Sequence, residues 1–339
     1  MKKRKRLDKE HSQIVVIGSG LAGLSAAISL EQAGFLNISI YERDENFDIQ
    51  KEGYGLTLTY NPKGPLASLG VLEQVAQKDC PSRCHYLFRV RFFFPWLLDA
   101  MPPMRDTKSI LWLVASSQPD GSILGFFGCS STFQRGRGQR GNLRVPRKVL
   151  RRILFQKLST TNVHWDHRLV NFSWGSENNQ YRIELQKADG ELKIVFADLL
   201  VSADGIRSAV LQKLYRSPTK AQKEKNTDEL SKAIAKFGLR YLGVRLILGI
   251  SNLSHPLLQE RGFYTLDGKH RLFTMPYQSS RFEKQKNRIM WQLSFALDDQ
   301  DRPLDAASLR DYVLKTCASW HTPVLDMIHS TPLETIWGT

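Results

Sequence analysis

Ile14-Val15-Val16-Ile17-Gly18-Ser19-Gly20-Leu21-Ala22-Gly23-Leu24 decides how the chain is read. A short apolar run closed off by glycine fits a strand buried on both faces of a parallel sheet. Gly18, Gly20 and Gly23 then spell G-x-G-x-x-G where such a strand must turn into a helix. Each glycine has its own task. Gly18 permits the tight turn, Gly20 lets a pyrophosphate approach the backbone, and Gly23 lets helix and strand pack closely. Leu21 and Ala22 complete the candidate cofactor-binding turn. The helix expected over Leu24 to Ala33 offers free N–H groups and a positive dipole end to an anion, and Gly34 ends it.

A second strand, Asn37-Ile38-Ser39-Ile40-Tyr41, leads into Glu42-Arg43. An acid at that strand end is placed to accept hydrogen bonds from the ribose hydroxyls of an adenosine. Glycine-rich turns are common, and a βαβ unit using glycine only for packing is the plain alternative. The buried strand, the capped helix and Glu42 together favour dinucleotide binding. Arg43 suits a ribose 2′-phosphate, and hence NADP, but Glu42 repels that group. FAD or NAD fits better.

With 339 residues the chain is long enough for a large core and two lobes. No apolar run approaches the length of a membrane span, and Met1-Lys2-Lys3-Arg4-Lys5-Arg6 lacks the apolar segment of a secretory signal. A cytoplasmic protein is expected, with the basic hexapeptide read as a solvated tail or, alternatively, a nuclear localisation signal. The formal charge of +15 favours anionic partners, for which a phosphorylated cofactor suffices. Cys80, Cys84, Cys129 and Cys317 make no disulfide framework, and Cys80, Cys84 and His85 have no second ligand pair at matching spacing, so no metal is expected.

Further along, Asn61-Pro62 is expected to cap a helix running to about Gln77. Strand-like stretches follow over Tyr86 to Trp96, Ile110 to Val114 and Ile123 to Phe127, with a turn at Pro119-Asp120-Gly121-Ser122. After the loop Arg135-Gly136-Arg137-Gly138-Gln139-Arg140-Gly141, Pro146 reads as a first helical residue ahead of Val149, Leu150, Ile153, Leu154 and Leu158. Strands are expected at Val163 to Trp165, Leu169 to Trp174, Tyr181 to Gln186 and Leu192 to Phe196. A buried parallel strand at Leu199 to Val201 comes next, ending at Asp204-Gly205, and a helix from Arg207 to about Tyr215. Lys220 to Lys232 reads as a charged surface segment. From Leu239 the pattern is antiparallel sheet, closed by helices at Ala306 to Trp320 and Val324 to Ile328.

The order G-x-G-x-x-G, Glu42-Arg43, Pro146-Arg147-Lys148-Val149-Leu150-Arg151 and Ala203-Asp204-Gly205-Ile206-Arg207-Ser208 resembles the FAD-dependent monooxygenases of the p-hydroxybenzoate hydroxylase type, the class A flavoprotein hydroxylases. The resemblance implies an α/β fold: a Rossmann-like, GR2-type FAD-binding domain with a parallel sheet, and an interleaved antiparallel-sheet substrate domain. It implies a basic tail over 1–12, FAD-binding segments over 13–85 and 142–216, and substrate segments over 86–141 and 217–339. In such enzymes the glycine turn holds the FAD pyrophosphate and the Glu42-like acid holds the ribose. Arg147 matches the arginine that reaches the flavin, with Arg144 a second choice. Asp204 and Gly205 contact FAD and help recruit NADPH or NADH. The implied reaction places one atom of O2 on an apolar or aromatic small molecule. The chemistry belongs mainly to the cofactor, so no catalytic side chain is nominated.

Tyr241, Phe263, Tyr264, Phe273, Trp291 and Phe295 suit a substrate lining or, more simply, a core. Family members also carry a later Gly-Asp segment against the ribityl chain. Pro332-Leu333-Glu334-Thr335-Ile336-Trp337-Gly338-Thr339 resembles the stretch just ahead of it, which implies a C-terminally shortened form with weakened FAD binding. A non-catalytic regulatory homologue and another FAD-dependent oxidoreductase are the competing functions. Nucleic-acid binding through Arg135 to Arg152 is not expected, for lack of interleaved aromatics. Oligomeric state is open.

Overall fold

The computed structural model describes residues 7–49, 53–80, 82, 84–89, 122–128, 142–175, 178–216, 242–278, 288–296 and 305–338. The basic hexapeptide, the Arg/Gly loop, Cys129, Lys220 to Lys232, Tyr241 and the strand expected at Ile110 to Val114 lie outside them. In chain order the elements begin with β1 (Ile14–Ile17), α1 (Leu21–Gln32), β2 (Ile38–Tyr41), β3 (Gly55–Leu58), α2 (Pro65–Ser68) and α3 (Leu72–Gln77). They continue with β4 (Cys84–Arg89), β5 (Ser122–Gly128), β6 (Leu143–Pro146), α4 (Arg147–Lys157), β7 (Asn162–His164) and β8 (Arg168–Gly175). Next come β9 (Gln180–Gln186), β10 (Leu192–Ala197), β11 (Leu199–Ser202), α5 (Ala209–Arg216), β12 (Val244–Ser251) and β13 (Arg261–Leu266). The last are β14 (His270–Gln278), β15 (Arg288–Ala296), α6 (Ala306–Thr316), α7 (Val324–His329) and β16 (Trp337–Gly338).

The chain divides into two units. The first comprises Met1–Lys51, Pro62–Leu72 and Lys148–Arg240. Its parallel sheet has the order β11-β1-β2-β7, so the first strand of the sequence is an inner strand. That position explains why all of Ile14, Val15, Val16 and Ile17 are buried. Val15, Ile17 and Tyr41 pack with Leu169, Phe172, Ile183 and Leu185 from the antiparallel sheet β10-β9-β8. On α1, Leu24, Ala27 and Ile28 are buried, and the helix packs on β1 and β2. Fully burying a Leu or Ile side chain stabilises by about 1.5–3 kcal/mol, so this layer is secured by few residues.

The second unit comprises Glu52–Asn61, Glu73–Arg147 and Tyr241–Thr339. Its main sheet has seven strands in the order β16-β12-β15-β14-β13-β4-β5. The core joins Phe263, Leu272, Trp291 and Leu293 to Leu309 and Val313 of α6 and to Val324, Met327 and Ile328 of α7. Phe263 and Trp291 are fully buried and Phe295 nearly so, which makes these aromatics core. β3 and β6 form a separate antiparallel pair.

Three local expectations are corrected. Pro146 closes β6 and the helix starts at Arg147, because residues 143–146 are engaged as a strand paired to Gly55–Leu58. The helix expected up to Gln77 is two short ones, interrupted where Gly70 takes φ +69°, a left-handed turn that an α-helix cannot continue through. The second sheet is mixed, since β13 pairs with β4 in parallel. Boundaries moved elsewhere: α1 begins at Leu21, α5 at Ala209, and α6 ends at Thr316. No helix among the described residues is long and apolar enough to cross a membrane.

Candidate functional site

The first unit brings the glycine turn, the end of β2, α4 and the Asp204 turn to the carboxyl ends of β1, β2 and β11. Backbone bonds set the turn: Gly18 N–H donates to Tyr41 O at 2.8 Å, and Ala203 N–H donates to Ile17 O at 2.9 Å. Gly18 has φ +100°, and a Cβ there would lie 2.5 Å from Ala203 O. At Gly23 a Cβ would lie 1.9 Å from Gly18 O, so helix and turn touch without room for a side chain. Gly20 differs. Its φ of −70° suits any residue, and a Cβ there meets nothing within 4 Å. The N-terminus of α1 therefore opens onto free space, with no side-chain cap and no acid in its first turn. A diphosphate fits these conditions, since the first-turn N–H groups need acceptors and the dipole favours an anion.

Ser19 is buried at the centre of a polar network that the sequence reading did not single out. Glu42 Oε2 accepts the Ser19 N–H at 2.6 Å and its hydroxyl at 2.9 Å. Arg151 Nη2 donates to Ser19 Oγ at 2.8 Å and Arg151 Nε donates to Ser19 O at 3.0 Å. Arg151 Nη1 donates to Phe47 O at 3.1 Å, and its guanidinium carbon lies 4.6 Å from the Phe47 ring centre and 5.8 Å from that of Trp165. Arg151 is only 1% exposed. A legible signal was present: Arg151 shares the buried arc of α4 with Leu150, Ile153 and Leu154, a position where a charge requires partners.

Glu42 is itself buried, and its Oε1 accepts the Asp44 N–H at 3.2 Å. Arg43 is largely exposed, its Nε 3.9 Å from Asp44 Oδ1. Asp204 caps α5, accepting the Ala209 N–H at 2.7 Å and the Ser202 hydroxyl at 2.8 Å. Its Cα would lie 3.2 Å from a Cβ on Gly18, so the two turns abut. Gly205 is exposed with φ +83°. Arg147 belongs to the second unit, where its N–H donates to Tyr54 O at 3.0 Å. Arg144, in the same unit, donates through Nη1 to Ser82 O at 3.3 Å.

Aromatic and imidazole rings line the ends of β2 and β7. His164 stacks on Tyr41 at 4.6 Å, and His167 meets Tyr41 edge-on at 5.4 Å. Burial, then the Lys193 and His167 charges, hold the His164 imidazole below its ordinary pKa. In the second unit burial, helped by Arg144, pushes His85 down to about 4, leaving it neutral at physiological pH. Cys80 Sγ donates to Tyr277 O at 3.1 Å.

A family model described as FAD binding domain matches residues 11–240, which include every element of this network. The chain belongs to that family. Its relatives are FAD-dependent monooxygenases. Monooxygenase cfoF of Aspergillus candidus is 25% identical over 260 residues, covering 73% of this chain and 51% of the relative. FAD-dependent monooxygenase atnA of Arthrinium sp is 28% identical over 205 residues, covering 60% of this chain and 23% of the relative. The chain thus spans about half the length, or less, of the curated relatives it matches. Among solved structures, Klebsiella pneumoniae HpxO complexed with FAD and uric acid matches with a TM-score of 0.65 at 19% identity, covering 98% of this chain and 68% of that one. At that identity the likeness establishes a shared fold, that of the class A flavoprotein monooxygenases.

Proposed function

We propose that this protein is a FAD- and NAD(P)H-dependent monooxygenase that transfers one atom of O2 to an apolar or aromatic small molecule. The observation that carries the reading is Glu42 held against the Ser19 N–H beside an open, uncapped helix N-terminus, inside a region matched by the FAD binding domain family. Bound FAD would supply the redox chemistry, accepting reducing equivalents from NADPH or NADH and activating O2.

The chain's own residues bind and orient. The N–H groups of Leu21, Ala22 and Gly23 would face the diphosphate, with Gly20 giving it clearance and Gly18 permitting the turn. Glu42 accepts from the adenosine ribose, and Arg43 lies beside it. Asp204 and Gly205 border the same crevice, and Arg147 is assigned to the flavin. The first unit binds the ADP half of the cofactor, and substrate recognition is assigned to the second. The uric acid bound by HpxO is a small planar molecule, which supports a small ring compound as substrate.

Titration with FAD tests the reading, followed by assay of NADPH and NADH oxidation and of product formed under isotopically labelled O2. Quenched flavin fluorescence, substrate-stimulated oxidation and one labelled oxygen in the product are expected. A protein indifferent to FAD, or product without label, refutes it.

A further inference from the structure

We propose that Arg151 is a positioning residue for the dinucleotide, acting through Ser19 to orient Glu42 and the glycine turn toward the ADP half of the cofactor. The inference rests on the FAD-binding reading above and concerns residues in the first unit only.

Ser19 spends all its polar groups on two partners. Its N–H and O–H both go to Glu42 Oε2, at 2.6 and 2.9 Å. Its Oγ and its carbonyl both accept from Arg151, at 2.8 and 3.0 Å. The hydroxyl therefore stands between the guanidinium and the carboxylate, donating to one and accepting from the other. Bonds in such a chain polarise one another.

The direction of control follows from geometry. With two Ser19 donors on Oε2, the carboxylate cannot rotate freely. Oε1, which takes the Asp44 N–H at 3.2 Å, is then the atom turned to an incoming ribose hydroxyl. Arg151 fixes the serine rotamer that imposes this. Through Nη1 and Phe47 O, at 3.1 Å, the same fork ties the acidic loop after Glu42 to α4. Its five donors have a rigid layout that lysine lacks.

Burying a guanidinium also costs free energy that an apolar residue on this arc would not. A site that needed packing alone would place leucine there, next to Leu150 and Leu154. A positive charge behind a turn that receives a diphosphate beside a buried carboxylate has an electrostatic use.

The test measures FAD and ADP affinity of the full chain by titration calorimetry for wild type, Ser19→Ala, Arg151→Lys, Arg151→Gln and the Ser19→Ala/Arg151→Lys double variant. Circular dichroism and thermal midpoints of the free proteins accompany them. Each single change should weaken FAD and ADP by the same factor, about tenfold to a hundredfold, the range for a hydrogen bond to a charged group. Arg151→Lys should retain more affinity than Arg151→Gln. The double variant should lose little more than the worse single, because both cut one relay.

Losses that multiply in the double variant overturn the inference, as does weakened FAD with unchanged ADP. If the Arg151 variants fail to fold, Ser19→Ala decides alone: native circular dichroism with weakened ADP supports the relay, and unchanged ADP affinity overturns it. Wild-type protein that ignores both FAD and ADP refutes the FAD-binding reading itself, an outcome distinct from wild-type binding that Ser19→Ala leaves intact.

Discussion

Glu31 Oε1 accepts both the N–H of Thr161, at 2.8 Å, and its hydroxyl, at 2.7 Å. The same carboxylate takes the Thr160 N–H at 2.9 Å and, through Oε2, the Ser159 hydroxyl at 2.9 Å. The last turn of α1 is thereby stapled to the segment ahead of β7. Partial burial works against ionisation, but the bonds from Thr161, Thr160 and Ser159 overrule it and hold the carboxyl down to about 2 from an ordinary 4.5. A depressed acid stabilises the fold above its unfolded pKa and loses that contribution as pH falls through the folded one. Glu31→Gln should lower the thermal midpoint at neutral pH and flatten its decline between pH 4.5 and about 2. A variant whose acid limb parallels the wild type contradicts this.

Gly20 and Gly23 are one motif with opposite steric surroundings. Gly23→Ala forces a methyl to 1.9 Å from Gly18 O and should destabilise by about 1–3 kcal/mol or more, read as a drop in denaturation midpoint. Gly20→Ala meets nothing within 4 Å and should leave stability nearly unchanged while reducing FAD affinity more than about tenfold. Equal stability losses in the two variants would reject this division.

In the second unit Trp291 is fully buried, and its Nε1–H donates to Thr331 Oγ1 at 2.9 Å. Thr331→Val keeps the shape and removes the acceptor. The stranded indole N–H should cost about 1–3 kcal/mol in chemical denaturation. Thr331→Ser should recover most of it.

Cys317 lies at the end of α6, fully buried, and burial, with Asp267 adding, pushes its thiol up to about 12. Alkylation of the native protein under mildly alkaline conditions should spare it, since the thiolate is the nucleophile. Denaturant should expose it, as peptide mass analysis would read.

The nucleotide-binding half was legible because its signals are local. Ile14 to Gly23 specify strand, turn and helix within a few residues, and Glu42 falls where the next strand ends. Arg151 was less visible, because it matters through Ser19, a residue far away in sequence whose hydroxyl has no pattern of its own. The break at Gly70 has a sequence signal, the glycine itself, but glycine inside an apolar helical pattern does not by itself mark a stop. At Pro146, a proline at a strand end and one at a first helical position look alike until the pairing with Gly55 is known. The parallel pairing of β13 with β4 joins segments with unrelated patterns, and no short-range cue announces it.

The wall of the Gly18 turn is Ala203, the residue just past β11, a strand that leaves the ribosome long after β1 and β2. The crevice is therefore finished late in synthesis, and one edge of Ile14–Ile17 waits bare until then. A nascent chain at that stage carries an unpaired strand edge, a template for mispairing that disappears only when β11 docks on β1.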